Sequence, residues 1–200
     1  MKNQIIISIG REYGSAGHKI AEKLAKKLDI PLYDRNILEE VSHTKEVDVS
    51  HYEQFDEKPR NFFLSRTVKG HSNSPEENVA ELQFALLKSK AADGDSFVVV
   101  GRCADYVLRD FPGLVSIFVH SEDMEEKINY IMNLLNIKRK DAIKAIEQKD
   151  KKRANYYQHF AKGKKWGACK SYDICINSSL LGIDASVDFL FNFIQKFRES

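Results

Sequence analysis

An α/β fold, a parallel sheet flanked by helices, is predicted by three features of the sequence. Four of the five residues from Ile5 to Ile9 are isoleucine and Phe97-Val98-Val99-Val100 is wholly apolar, the composition of strands buried on both faces of a parallel sheet. Ile20, Leu24 and Leu28 follow at helical spacing. Between the first strand and that helix lie Gly14 and Gly17, which let the backbone turn sharply and present successive N–H groups. Such a turn is common in α/β proteins and is also how a phosphate is held.

In chain order, Asp29-Ile30-Pro31-Leu32-Tyr33-Asp34 leads into a helix that Asp34 can cap, with Ile37, Leu38 and Val41 on its apolar side. From Val47 to Asn73 no periodicity survives, and cations alternate with Phe55, Phe62 and Phe63. Ser74-Pro75-Glu76-Glu77 is a capping box with proline at the first helical position, and Val79, Leu82 and Leu86 predict a helix to about Ala92. The Phe97 strand ends in Gly101-Arg102-Cys103-Ala104-Asp105, where open α/β sheets place their ligands. Leu114–Val119 reads as another core strand. The next helix is expected to start at Ser121, with Glu122 and Asp123 in its first turn, and to bury Ile128, Ile131 and Leu135. A charge-rich helix is predicted from Arg139 to about Phe160, then a flexible loop over Lys162–Gly167. Asp184–Phe197 reads as a last helix that packs Val187, Leu190, Phe191 and Ile194 on the sheet.

At 200 residues, 42% hydrophobic and 30% charged, the chain has the composition of a soluble globular protein and reads as one domain, 1–200. No apolar run is long enough for a membrane span, and Met-Lys-Asn-Gln enters the first strand without a signal peptide, so a cytoplasmic protein is expected. Cys103, Cys169 and Cys175 form no C-x-x-C pair and offer no metal framework. Net charge is +2, yet residues 138–170 hold twelve Lys/Arg against three acids, which makes that segment about +9 and the remainder about −7. A solvated helix face, a cationic lid over polyphosphate and a nucleic-acid surface are all compatible with this.

The turn after the first strand, with Gly101–Asp105, resembles the cytidylate-kinase-like family of P-loop nucleoside monophosphate kinases, along nearly the whole chain. Against the G-x-x-x-x-G-K-[ST] pattern aligned on Gly17, this chain has Glu12 for the first glycine, His18 for the lysine and Lys19 for the hydroxyl residue. The resemblance implies a three-layer P-loop kinase fold, an acceptor insertion near 35–73 and a lid near 136–170. It also implies ATP as phosphoryl donor with Mg²⁺, and CMP or dCMP as the first acceptors to consider. Arg11, Gly14, Ser15, Ala16, Gly17, His18 and Lys19 would hold donor phosphates, and any of Arg11, His18 and Lys19 could supply the missing charge. Asp34 stands where the family's Tyr/Phe-x-Asp motif organises magnesium, and Ser15 is a weaker candidate for metal contact. Arg102 would meet the acceptor phosphate. Cys103 stands where the family has an acid, and Asp105, one helical step on, could replace it; Arg60 or Arg66 could also grip the acceptor. Lys149, Lys152 and Arg153 would neutralise the transferring phosphoryl group.

Three rivals remain: a nucleotide-binding protein without kinase activity, a kinase for another small acceptor, and an RNA-binding module with Trp166, Tyr156 and Tyr157 as stacking groups. Small-molecule nucleotides are the expected partners, nucleic acid is the lesser reading, and the oligomeric state is open.

Overall fold

The computed structural model describes residues 4–34, 37, 67–68, 71–72 and 75–199. Strand β1 (Ile6–Arg11) is followed by α1 (Gly17–Leu28), β2 (Leu32–Tyr33) and a short antiparallel pair, β3 (Thr67–Val68) and β4 (His71–Ser72). Next come α2 (Pro75–Ala92), β5 (Phe97–Val100), the short α3 (Ala104–Val107) and β6 (Leu114–His120). The chain continues through α4 (Met124–Leu135), α5 (Arg139–Phe160), a 3-10 turn, β7 (Ile174–Asn177) and α6 (Ser178–Glu199).

Five strands form one parallel sheet in the order β2-β5-β1-β6-β7. β1 lies in the middle, with Ile6 opposite both Phe97 of β5 and Leu114 of β6. The chain leaves β1 for one edge, returns through β5 beside β1, and crosses to β6 on the other side. The winding therefore reverses around β1, and ligands of open α/β sheets bind beyond the strand ends at such a reversal.

Alternation along the strands explains why both faces must be covered. Ile5, Ile7 and Ile9, with Val98, Val100, Val115, Ile117 and Val119, point to one face and pack with Ile20 and Leu24 of α1 and Val187, Leu190 and Ile194 of α6. Ile6, Phe97, Val99 and Phe118 point to the other, against Val79 and Leu87 of α2, Leu108, and Tyr156, Tyr157, Ala161 and Tyr172. A third cluster joins α4 to α5 through Ile128, Ile131, Ala142 and Ile146.

Several expectations need correction. α4 starts at Met124 rather than Ser121, because the Asp123 carboxylate accepts the Glu126 N–H at 3.0 Å and so caps the helix from outside; Glu125 and Glu126 are its first-turn acids. Leu135 is exposed, since the contact with α5 ends before it. The last helix covers Asp184–Phe197 as expected, and a short helical stretch from Ser178 precedes it across a break at Gly182, whose φ is 72°. Phe191 is partly buried and packs against the core with Val187, Leu190 and Ile194. The loop expected to be flexible after α5 is tied down. Trp166 meets Phe118 edge-on at 5.2 Å between centroids, and the Lys164 ammonium donates to the Ser171 carbonyl at 3.0 Å. Of the helix predicted after Asp34, only Ile37 lies among the described residues, where it is helical and buried. No helix of the described residues is long and apolar enough to cross a membrane.

Leu190 is fully buried between α6 and α1. Leu190→Ala should lower the unfolding free energy by about 2–5 kcal/mol, read as a shift in urea midpoint at unchanged slope.

Candidate active site

The turn from β1 to α1 is shaped by what surrounds it. Gly14 has φ of +85°, and a side chain there would press on the Lys127 Cβ and carbonyl at 3.2 and 3.3 Å. At Gly17 a Cβ would come within 2.6 Å of the Arg11 Cβ. Ala16 takes the left-handed conformation, φ 58°, as the N-cap of α1, and no side chain caps this helix. The first-turn amides are thus left for an external acceptor, the arrangement that suits an anion. Ser15 is buried, with its hydroxyl 2.9 Å from the Glu12 carbonyl and 3.1 Å from the Val119 carbonyl. It braces the turn and does not line the cleft.

That cleft has a volume of about 430 Å³. One wall is the loop, with Arg11, Glu12, Gly14, Ala16, Gly17 and His18; Asp34 and Arg153 flank it, and Tyr130, Leu134 and Leu135 form an apolar rim. The exposed Leu135 therefore has a place: with Leu134 it overhangs the loop. His18 reaches two carboxylates, Nδ1 to Asp34 and Nε2 to Glu22, both at 3.3 Å. Lys19 turns away and sits 5.0 Å above the Tyr130 ring. Of the three cations named on α5, only Arg153 lines the cleft, while Lys149 and Lys152 are exposed.

Beneath the loop runs a charge network that sequence reasoning missed. Lys127, 4% exposed, donates to the Glu12 carboxylate at 2.9 Å and lies 3.9 Å from that of Asp150. Asp150 accepts the Tyr13 N–H at 2.6 Å, and Glu12 accepts the Ser121 N–H at 3.2 Å. Arg153 stands 3.9 Å from Asp150 and donates to the Arg11 carbonyl at 3.3 Å. Burial pushes the Asp150 carboxyl up to about 6, against the Tyr13 N–H, Lys127 and Arg153; Glu12 pushes the same way as burial. The one sequence signal was Lys127 itself, a charge four residues before Ile131 on the apolar stripe of α4.

A second, smaller cavity lies at the end of β5. Three successive residues, Gly101, Arg102 and Cys103, have positive φ of 79°, 59° and 50°. For the two non-glycine residues this costs about 1–2 kcal/mol each. The turn drives Arg102 inward, where it is 1% exposed and donates to the Asp34 carbonyl at 3.3 Å. Cys103 packs into the core cluster and lines the cavity together with Asp105. The Asp105 carboxylate accepts the Tyr157 hydroxyl at 2.6 Å and the Lys164 ammonium at 3.4 Å. Burial pushes the Asp105 carboxyl up, and these two donors pull it down. The cavity holds about 30 Å³ beneath Tyr156, Trp166 and Tyr172, and three guanidinium groups line it: Arg11, Arg102 and Arg153. Arg11 and Arg153 line the large cleft as well, so the two spaces meet at these side chains. Arg60 and Arg66 lie outside the described residues.

A model of the cytidylate kinase-like family matches residues 6–180. The chain belongs to this family. No curated protein matches it. Among solved structures, an uncharacterized protein from Eubacterium ventriosum is 33% identical over 96% of this chain and 99% of its own, with a TM-score of 0.75. Shikimate kinase from Bacteroides thetaiotaomicron, 14% identical over 96% of this chain and 98% of its own, has a TM-score of 0.56. Shikimate kinase from Aquifex aeolicus is also 14% identical, over 96% of each chain, with a TM-score of 0.52. These two share the fold of P-loop kinases; the family and the fold together make the chain kinase-like, of a nucleotide-dependent type.

The raised Asp150 value makes a signed prediction. Between about pH 4 and 6 the folded chain binds more protons at Asp150 than the unfolded chain does, so this residue's contribution to stability falls as pH rises, and is flat above. The stability difference between the parent and Asp150→Asn should change by about 2 kcal/mol between about pH 4.5 and 7.5, measured by urea unfolding.

Proposed function

We propose that the chain transfers the terminal phosphoryl group of ATP to a small anionic acceptor, with CMP or dCMP the first candidates. The observation that carries this reading is the meeting of two spaces at Arg11 and Arg153. Phosphoryl transfer needs two anions brought in line and their repulsion neutralised where they meet, and that is where these guanidinium groups stand. The loop amides from Gly14 to Lys19 receive the donor phosphates, with His18 at the helix start. Arg102 takes the anionic group of the acceptor, and Asp105, beside Cys103 in the cavity wall, contacts its polar edge.

An acceptor oxygen attacks the γ-phosphorus, the bond from phosphorus to the β,γ-bridging oxygen breaks, and ADP leaves. Magnesium supplies charge neutralisation on the donor phosphates. Asp34 would suit its waters, since it is a carboxylate in the cleft wall. The buried Ser15 hydroxyl does not suit that role. Lys149 and Lys152 would act only on a longer-range field, leaving Arg153 as the close cation of α5.

A second reading has its own observation. A cavity of about 30 Å³ holds a water molecule or two, so a nucleotide must widen it, whereas a compact hydroxylated carboxylate or phosphate needs less room. A nucleotide-binding protein without turnover is the third reading, motivated by the absent loop lysine.

A coupled phosphotransfer assay with ATP and magnesium against CMP, dCMP, UMP, AMP and GMP, with a no-acceptor control, tests the proposal. Turnover of a pyrimidine monophosphate is expected; silence across the panel in protein that binds ATP would favour a different acceptor or a non-catalytic protein. In the active enzyme, Arg102→Ala should raise the apparent dissociation constant of the acceptor about tenfold or more and leave ATP binding nearly intact. Equal loss of both would remove Arg102 from the acceptor site.

A further inference from the structure

We infer that Lys127, with Glu12 and Asp150, is the positioning device of the phosphate loop, standing in structurally for the support that this loop lacks in its own sequence. The inference rests on the reading of the loop as a phosphate site and adds how the site is held and charged. Every residue from Arg11 to Gly14 is gripped from α4, α5 or the start of the β6–α4 turn. The Arg11 carbonyl is held by Arg153, the Glu12 carboxylate by Lys127 and the Ser121 N–H, and the Tyr13 N–H by Asp150. Gly14 rests on the backbone of Lys127 itself.

Lys127 does not line the cleft, so it is not a substitute ligand for phosphate. Its effect is transmitted by Glu12, which does line it. A carboxylate in the wall of a polyphosphate site repels the ligand unless its charge is balanced, and the Lys127 ammonium at 2.9 Å supplies that balance from behind. Remove the ammonium and two things change together: the loop loses its anchor to α4, and the Glu12 charge faces the incoming phosphates uncompensated. Lys127, with the Ser121 N–H beside it, is thus what makes glutamate tolerable at position 12.

Calorimetric titration with MgADP and MgATP tests this. In Lys127→Met, which keeps the length of the stem, both dissociation constants should rise, by about tenfold or more, and more for MgATP than for MgADP because the repulsion scales with ligand charge. The double variant Glu12→Gln/Lys127→Met should recover affinity, because the exposed charge goes with its partner. Leu190→Ala, destabilised at a site remote from the loop, serves as the control: it should bind both nucleotides like the parent. If Lys127→Met melts earlier but its folded fraction binds both nucleotides as the parent does, Lys127 is a structural ion pair and the inference falls. The same holds if the double variant binds no better than the single one. A parent chain that binds neither nucleotide overturns the reading of the loop, and the inference with it, a result that no variant comparison can imitate.

Discussion

Burying an ammonium group costs several kcal/mol unless its charge is met by well-placed acceptors, and the arrangement around Lys127 follows from that constraint. The lysine lies on the face of α4 that packs inward with Ile131, so its head has nowhere to go except between the loop and α5. There it finds Glu12 at 2.9 Å and Asp150 at 3.9 Å. Each acid then needs further donors, and takes them from the Ser121 and Tyr13 amides and from Arg153. The outcome is two cations against two anions beneath the β1–α1 loop, with α4, α5 and β1 joined through charge as well as, for α4 and α5, through the apolar cluster of Ile128, Ala142 and Ile146.

Arg153 links this network to both cavities. It braces the Arg11 carbonyl, stacks its guanidinium 5.4 Å from the Tyr13 ring, and lines both spaces of the site. On the other side of the sheet ends, the left-handed run from Gly101 to Cys103 holds Arg102 where a regular strand exit would not. Backbone strain of this kind persists where the surroundings overdetermine it, and here the surroundings are Asp34, the packed Cys103 and the aromatic roof from Tyr156 to Tyr172.

Much of this was readable in the sequence, for local reasons. The Ile5–Ile9 run, Phe97–Val100, the helix ending at Ala92 and the Arg139–Phe160 helix each carry their signal within a few residues, and each of these elements stands where it was expected. The family and the glycine turn were legible too, since two short motifs suffice for them. What stayed hidden depends on pairs far apart in the chain: Lys127 is 115 residues from Glu12, and Asp150 is 137 from Tyr13. No periodicity reports such pairings. The early start assigned to α4 arose because Ser121, Glu122 and Asp123 all resemble first-turn residues, and only the geometry shows that Asp123 is the cap. Trp166 looked like part of a loose loop because its partner, Phe118, belongs to a strand formed 48 residues earlier.

The placing of β1 at the centre of the sheet has a consequence for how the chain is made. Its two neighbours, β5 and β6, begin at Phe97 and Leu114, so the isoleucine-rich segment has no partner when it leaves the ribosome. At about 5–20 residues per second, synthesis leaves that segment unpaired for several seconds. Its pairing also closes loops of about ninety residues or more, the topology that folds slowly and offers bare apolar strands to other chains in the interval. The strand that centres the finished sheet is therefore a part of the newborn chain open to aggregation, where protection by a chaperone would act.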